Sequence, residues 1–248
     1  MKKYFNVNLE FNKDVADQII ERTIEHNRKG YVCAIEANNL AIANQNKKFN
    51  ETLNSSLVNV CDGSNIAWLL GKIYKKHFCS YIGNDLFINF VNKGKYRQYF
   101  LGNTDEVLTS LKINLCQIDP TISEMCFSSL PFSTVEDFDY SSIAEHINSD
   151  SPDIIWVSLG APKQELFMKN LLPYLNKGVM FGIGAVFNFN SSVGKVRRAP
   201  KWILKLRMEW FYRALEEPKK NIPRYWNFIK LLPKLIYIEF KHISKSVY

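Results

Sequence analysis

The chain has 248 residues, 46% apolar and 23% charged, with a formal charge of +8; that composition argues against disorder and suits one α/β domain, with or without an appendage. The charge is unevenly placed: residues 195–248 hold nine lysines and five arginines against four glutamates, a net of +10, which leaves −2 on the first 194 residues. A slightly acidic body with a basic tail disfavours a uniformly basic nucleic-acid coat protein.

Residues 4–11 alternate apolar and polar side chains, so the basic start Met1-Lys2-Lys3 opens no apolar signal-peptide core. Val15, Ile19, Ile20 and Ile24 predict a helix face, and Tyr31-Val32-Cys33-Ala34-Ile35 a strand ending at Glu36. Leu57-Val58-Asn59-Val60 predicts a strand ending at Cys61-Asp62-Gly63, and Ile66, Leu69, Leu70 and Ile73 the helix after it. Gln98-Tyr99-Phe100-Leu101 reads as a strand ending at Gly102-Asn103-Thr104, with Val107, Leu108 and Leu111 marking a helix. Residues 153–159 read as a strong strand running into Gly160-Ala161-Pro162, then a helix over 163–172, then a last strand Val179-Met180-Phe181-Gly182-Ile183. Trp202, Leu206, Trp210 and Ala214 predict a helix reaching Glu217-Pro218, and a final helix starts near Arg224.

Repeated strand–turn–helix units with near-continuous apolar strands predict a buried, mostly parallel sheet sandwiched by helices. In such sheets ligands bind beyond the carboxyl ends of the strands. That rule selects Glu36, Asp62-Gly63, Gly102-Asn103, residues 160–165 and residues 184–188. The domain reading is a Rossmann-like core over 1–194 and a basic helical appendage over 195–248.

The motifs have two readings each. Asp62 is either a helix N-cap or a catalytic carboxylate aimed into a cleft. Gly160-Ala161-Pro162-Lys163-Gln164-Glu165 is either good helix-start chemistry or an anion site at a helix N-terminus with Lys163 beside it. GxxxxGK[ST] and GxGxxG are both absent, so neither a P-loop nor a dinucleotide site is supported. Tyr225, Ile229, Leu232, Ile236, Phe240, Ile243 and Val247 form one helical stripe, with Lys230, Lys234, Lys241 and Lys245 beside it. That stripe either docks on the core or lies on an anionic membrane surface. The same lysines carry no accompanying nucleic-acid-binding signature, so no nucleic-acid partner is expected. Five scattered cysteines and four scattered histidines point to free buried thiols in a reducing cytoplasm and to no metal site. No run reaches the ~18 apolar residues of a spanning helix. A homo-oligomer is left open, because docking and membrane stripes look alike.

Over residues 31–225 the chain resembles the WecG/TagA/CpsF family of bacterial glycosyltransferases. The anchors are Cys61-Asp62-Gly63, Gly83-Asn84-Asp85-Leu86, Phe100-Leu101-Gly102, residues 159–165, Arg198-Ala199-Pro200-Lys201-Trp202, Glu209-Trp210-Phe211-Tyr212-Arg213, Glu217-Pro218 and Arg224-Tyr225. Their order and spacing, more than any one of them, carry the resemblance. It implies an inverting enzyme without metal or cofactor. Such an enzyme moves a sugar of the N-acetylmannosamine type from UDP to a polyprenyl-diphosphate-linked sugar, in surface polysaccharide synthesis at the cytoplasmic membrane face. By the same resemblance Asp62 is the general base. Glu36, Gly63, Gly102, Lys163, Gln164, Glu165 and Asn188 belong to the donor site, and Arg198, Arg213, Lys220 and Arg224 face the diphosphate. The appendage completes the site and meets the membrane. Three departures border the expected donor pocket: Glu36 where Asn is usual, Ser80 where Arg is common, and Asn188 for Asp. The competing reading is a non-catalytic nucleotide-sugar or nucleic-acid binding module with a basic tail.

Overall fold

The computed structural model describes residues 1–193, 199–200, 202–203, 206 and 208–246, with side chains described as far as residue 244. A two-stranded hairpin, β1 (Lys2–Tyr4) and β2 (Val7–Leu9), opens the chain. Its turn residues Phe5 and Asn6 have φ of 49° and 64°, the doubly left-handed turn that matches the twist of a tight hairpin. The predicted elements then follow, joined by several with weaker periodic signals. In order they are α1 (Lys13–Glu25), β3 (Lys29–Ile35), α2 (Ala37–Ala43), α3 (Lys47–Asn54), β4 (Val58–Cys61), α4 (Ser64–Tyr74) and α5 (Gly83–Asn92). Next come β5 (Gln98–Gly102), α6 (Asp105–Cys116), β6 (Cys126–Ser128), α7 (Tyr140–Asp150), β7 (Ile154–Ser158), α8 (Lys163–Leu171), β8 (Gly178–Gly182) and α9 (Val186–Asn190).

β3 to β8 form one sheet in the order β4-β3-β8-β7-β5-β6, every pair parallel. Alternate residues of each strand feed opposite faces. Val32, Val60, Phe100, Trp156 and Phe181 pack under α1, α5, α6 and α9, while Tyr31, Ile35, Leu101, Val157 and Met180 pack under α2, α3, α4, α7 and α8. Both faces are therefore dry, which is why the strands read as near-continuous apolar runs. Burying each large side chain contributes about 1.5–3 kcal/mol. The core is an α/β/α sandwich whose strands all point their carboxyl ends toward one edge.

Toward the end of the chain the described residues form the helices α10 (Glu209–Glu216) and α11 (Pro218–Ser246). The long helix starts at Pro218 rather than near Arg224, and carries Pro223 and Pro233 within it, both exposed. Pro218 at the first helical position has no N–H to lose. α11 packs along α2 and reaches α4. Its docked face differs from the stripe the periodicity selects. Asn221, Leu235 and Glu239 are buried and Phe228 and Leu231 half-buried, whereas Ile229 and Phe240 are 51% and 53% exposed. Tyr225, Leu232, Ile236 and Ile243 flank the contact, half-buried. Val247 lies outside the described residues. A buried acid holds the docked face: Glu239 Oε1 accepts from the Phe5 N–H at 2.5 Å, and Oε2 accepts from the Tyr74 hydroxyl.

Candidate active site

Parallel register places the turns after β4, β3, β8, β7 and β5 side by side. The last residues of β3 and β4, Ile35 and Cys61, are paired, and the ladder continues one step with the Asp62 N–H on Ile35 O at 3.0 Å. Glu36 and Asp62 are thus neighbours on adjacent strand ends. Over this edge lies a cavity of about 450 Å³. Its floor includes Glu36, Asp62, Gly63, Gly160, Gln164 and Gly184, and its far wall is built by Glu209, Arg213, Lys220, Arg224 and Tyr225 from α10 and α11.

Asp62 is half-buried, and its Oδ1 accepts from the Gly83 N–H at 2.7 Å, which fixes the carboxyl between β4 and the start of α5. Desolvation pushes its pKa up to about 7; the Gly83 N–H opposes this, while the Glu36 and Glu209 carboxylates add to it. Such a carboxyl is a proton acceptor matched to neutral pH. Burial also raises Glu36, against the pull of Arg224, Arg213 and Lys220.

The cations stand opposite, at the junction of two helices. Arg213 lies 3.5 Å from Glu209 one turn earlier, and its guanidinium sits 4.4 Å over the Phe189 ring. Lys220 pairs with Glu217 at 3.1 Å. The junction is held by the Asn221 amide donating to Arg213 O at 2.7 Å, and by Trp210 against Tyr225, edge to face at 6.0 Å. The helices α4 and α8 begin at the cavity with Gly63 and Pro162 at their N-caps, neither providing a side-chain cap. The helix dipoles there favour an anion.

The structure therefore brings Glu36, Asp62, Gly63, Lys163, Gln164, Arg213, Lys220 and Arg224 to one cavity. Lys163 is also engaged outward: its ammonium donates to Ser133 O and lies 5.0 Å over the Phe138 ring. Three of the predicted residues are not on the lining. Gly102, with φ +94°, sits where a Cβ would come within 2.8 Å of Ser158 O; its glycine serves strand-to-strand approach. Glu165 lies beneath the floor at 0% exposure. Asn188 is half-buried beside the cavity, and its neighbour Phe189 is the one that lines it. Arg198 lies outside the described residues. Sequence reasoning passed over Asn39, Glu209 and Phe189. Glu209 sits in a recognisable motif, but Asn39 and Phe189 carry no local signal. No cluster of metal-ligating side chains occurs among the described residues.

A family model described as "Glycosyl transferase WecG/TagA/CpsF family" matches residues 4–245. The chain is similar to the N-acetylglucosaminyldiphosphoundecaprenol N-acetyl-beta-D-mannosaminyltransferase of Bacillus subtilis (strain 168), 29% identical over 190 residues, covering 73% of this chain and 71% of that protein. It is also similar to the protein of the same name from Bacillus spizizenii, 28% identical over 208 residues, covering 82% of this chain and 76% of the relative.

Proposed function

The chain belongs to the WecG/TagA/CpsF family of glycosyltransferases, and from that premise we propose that it moves an N-acetylmannosamine-type sugar from UDP to a polyprenyl-diphosphate-linked N-acetylglucosamine, with inversion. Both relatives are named for this sugar transfer and this acceptor, and for a β linkage. A single displacement on an α-linked donor produces that linkage. The observation that carries the reading is the single cavity holding Asp62 on one side and Arg213, Lys220 and Arg224 on the other.

The residues divide the reaction between them. The acceptor hydroxyl oxygen attacks the anomeric carbon while the bond from that carbon to the diphosphate oxygen breaks. Asp62 takes the hydroxyl proton. Arg213, Arg224 and Lys220, with the N-termini of α4 and α8, meet the charge that develops on the departing UDP. Protein cations are sufficient for this, so the reading needs no metal. Glu36, Gly63, Lys163 and Gln164 stand on the donor side of the same floor. Membership of an enzyme family also weakens the reading of the chain as a non-catalytic binding module.

The acceptor's lipid suggests why the wall of the site is a basic, apolar-studded appendage. α11 exposes Ile222, Trp226, Ile229 and Phe240 on the side away from the core, with Lys230, Lys234 and Lys241 exposed beside them. No helix among the described residues is long and apolar enough to cross a membrane. We read this surface as lying on the anionic inner face of the bacterial cell membrane. Residues 195–248 would then be the appendage that both completes the site and docks it.

The test is UDP release with a polyprenyl-diphosphate-linked N-acetylglucosamine acceptor. Asp62→Asn is expected to lower kcat by about 10²–10⁴-fold. Equal turnover by wild type and variant would overturn the assignment of the base.

A further inference from the structure

Glu165 is the unusual residue of the site because it cannot touch a ligand. It is fully buried and absent from the cavity lining, yet it is an acid. Its Oε1 accepts two hydrogen bonds, from Asn39 Nδ2 at 3.2 Å and from Gln164 Nε2 at 3.1 Å. Oε1 accepts whether the group is a carboxylate or an acid protonated on Oε2, partnerless among the described residues, so both neighbouring amides must present their nitrogen ends to it. Their oxygen ends are thereby turned the other way. Asn39 Oδ1 accepts from the Glu36 N–H at 3.2 Å. Gln164 Oε1 accepts from the Gly160 N–H at 3.2 Å and the Gly184 N–H at 2.9 Å.

Those three N–H groups belong to the turns after β3, β7 and β8. The chain of bonds goes further: Ser158 Oγ donates to Gly184 O at 2.7 Å, and Asn103 Nδ2 donates to Ser158 Oγ at 3.2 Å, reaching the turn after β5. Four strand ends are tied by one network that begins at Glu165. Burying a carboxyl here is costly, and its other oxygen, Oε2, has no hydrogen-bond partner among the described residues. An apolar residue would fill the space more cheaply but would leave both amides free to flip.

We propose that Glu165 is a positioning residue: from beneath the floor it sets the orientation of the Asn39 and Gln164 amides, and through them the Glu36, Gly160 and Gly184 turns on which the sugar nucleotide lies. The inference rests on the donor-site reading above. It places Glu165 behind the donor site rather than in contact with the donor.

The experiment uses the full chain, with UDP binding by calorimetry beside steady-state kinetics, at temperatures well below the unfolding midpoint of every variant. Glu165→Leu is expected to weaken UDP binding and to raise KM for the UDP-sugar by about 10- to 100-fold, beyond any loss of Tm. Glu165→Gln should recover most of both, because a carboxamide oxygen can accept the same two bonds. If Glu165→Leu is unfolded, Asn39→Asp takes its place. That variant sets acceptor against acceptor and should be impaired, and Asn39→Asp with Glu165→Gln should be better than Asn39→Asp alone. A Glu165→Leu variant with lowered Tm but unchanged UDP affinity and KM would overturn the proposal, as would a Glu165→Gln variant no better than the leucine one, or a double variant no better than Asn39→Asp. Wild type that binds no UDP would instead sink the donor-site reading itself.

Discussion

Asp62 stands between a fully buried strand and a helix, and its local sequence serves an N-cap as well as a base. The structure shows the N-cap of α4 at Gly63, and the Asp62 carboxylate bonded across to Gly83. With a pKa of about 7, the carboxyl loses its capacity to accept a proton as pH falls below neutrality. Under the proposed mechanism, kcat/KM should therefore rise with pH through about 7 and level off above it. A profile flat from pH 5.5 to 8.5 would remove Asp62 from the proton transfer. The same shift has a consequence for stability. A folded-state pKa raised above the unfolded value of about 3.9 means that the folded chain holds the extra proton between those values. The contribution is fully present below pH 4 and is lost as pH rises through 7. Glu165, also pushed up to about 7 by burial, acts in the same direction. Asp62→Asn should accordingly raise Tm at pH 8 by about 2–4 °C or more, and raise it less at pH 5. A catalytic group that destabilises its own fold has that signature.

At the scale of elements, α11 shows how one helix serves three surroundings. One side docks through Phe228, Leu231, Leu235 and Glu239, a second exposes Trp226, Ile229 and Phe240, and a third carries Lys230, Lys234 and Lys241. A sequence stripe shows that an apolar side exists, but not which of two apolar sides faces the core. Glu239 decided it. A polar residue between apolar neighbours reads as solvent-facing, yet this one is buried because Phe5 and Tyr74 offer donors from the hairpin and α4. Neither donor is near it in sequence. Breaking that hold with Glu239→Ala should leave the Tyr74 hydroxyl and Phe5 N–H unpartnered, at a cost of about 1–3 kcal/mol. Amide hydrogen exchange over residues 235–246 should speed up before exchange in the β3–β8 sheet does. Uniform acceleration throughout the chain would show that the helix end is no separable unit. The lysine side makes a second prediction. Lys230→Glu, Lys234→Glu and Lys241→Glu together should reduce co-sedimentation with phosphatidylserine-containing vesicles, by roughly 1 kcal/mol or more per site at low salt. Binding that is unchanged by these substitutions and by salt would turn the exposed face into something other than a lipid surface.

Across the whole molecule, residues 195–248 carry +10 and the rest −2, and six of the basic residues whose side chains are described fall into two placements. Arg213, Lys220 and Arg224 turn inward to the cavity, while Lys230, Lys234 and Lys241 turn outward. The sequence by itself determined the architecture, because a doubly covered parallel sheet imposes its signature strand by strand: mostly apolar, buried strands of five to seven residues at β3, β5, β7 and β8, each leading into a turn that carries a glycine or an acid. It also determined the family, through motifs whose order survives wherever the loops go, and it picked out most of the cavity's charged residues: Glu36, Asp62 and Lys163 because strand ends are local features, and Arg213, Lys220 and Arg224 through the family motifs. Tertiary structure alone decided the rest. Gly102 and Asp62 both follow the strand-end rule, but one meets a neighbouring carbonyl and the other faces the cavity. Glu165 stands next to Gln164 in the chain, yet one lies below the floor and the other on it, since successive residues of a helix point about 100° apart and only packing sets the zero of that angle. Which side of α11 docks, and which acid is buried, depends on partners more than a hundred residues away, and local periodicity has no means of recording them.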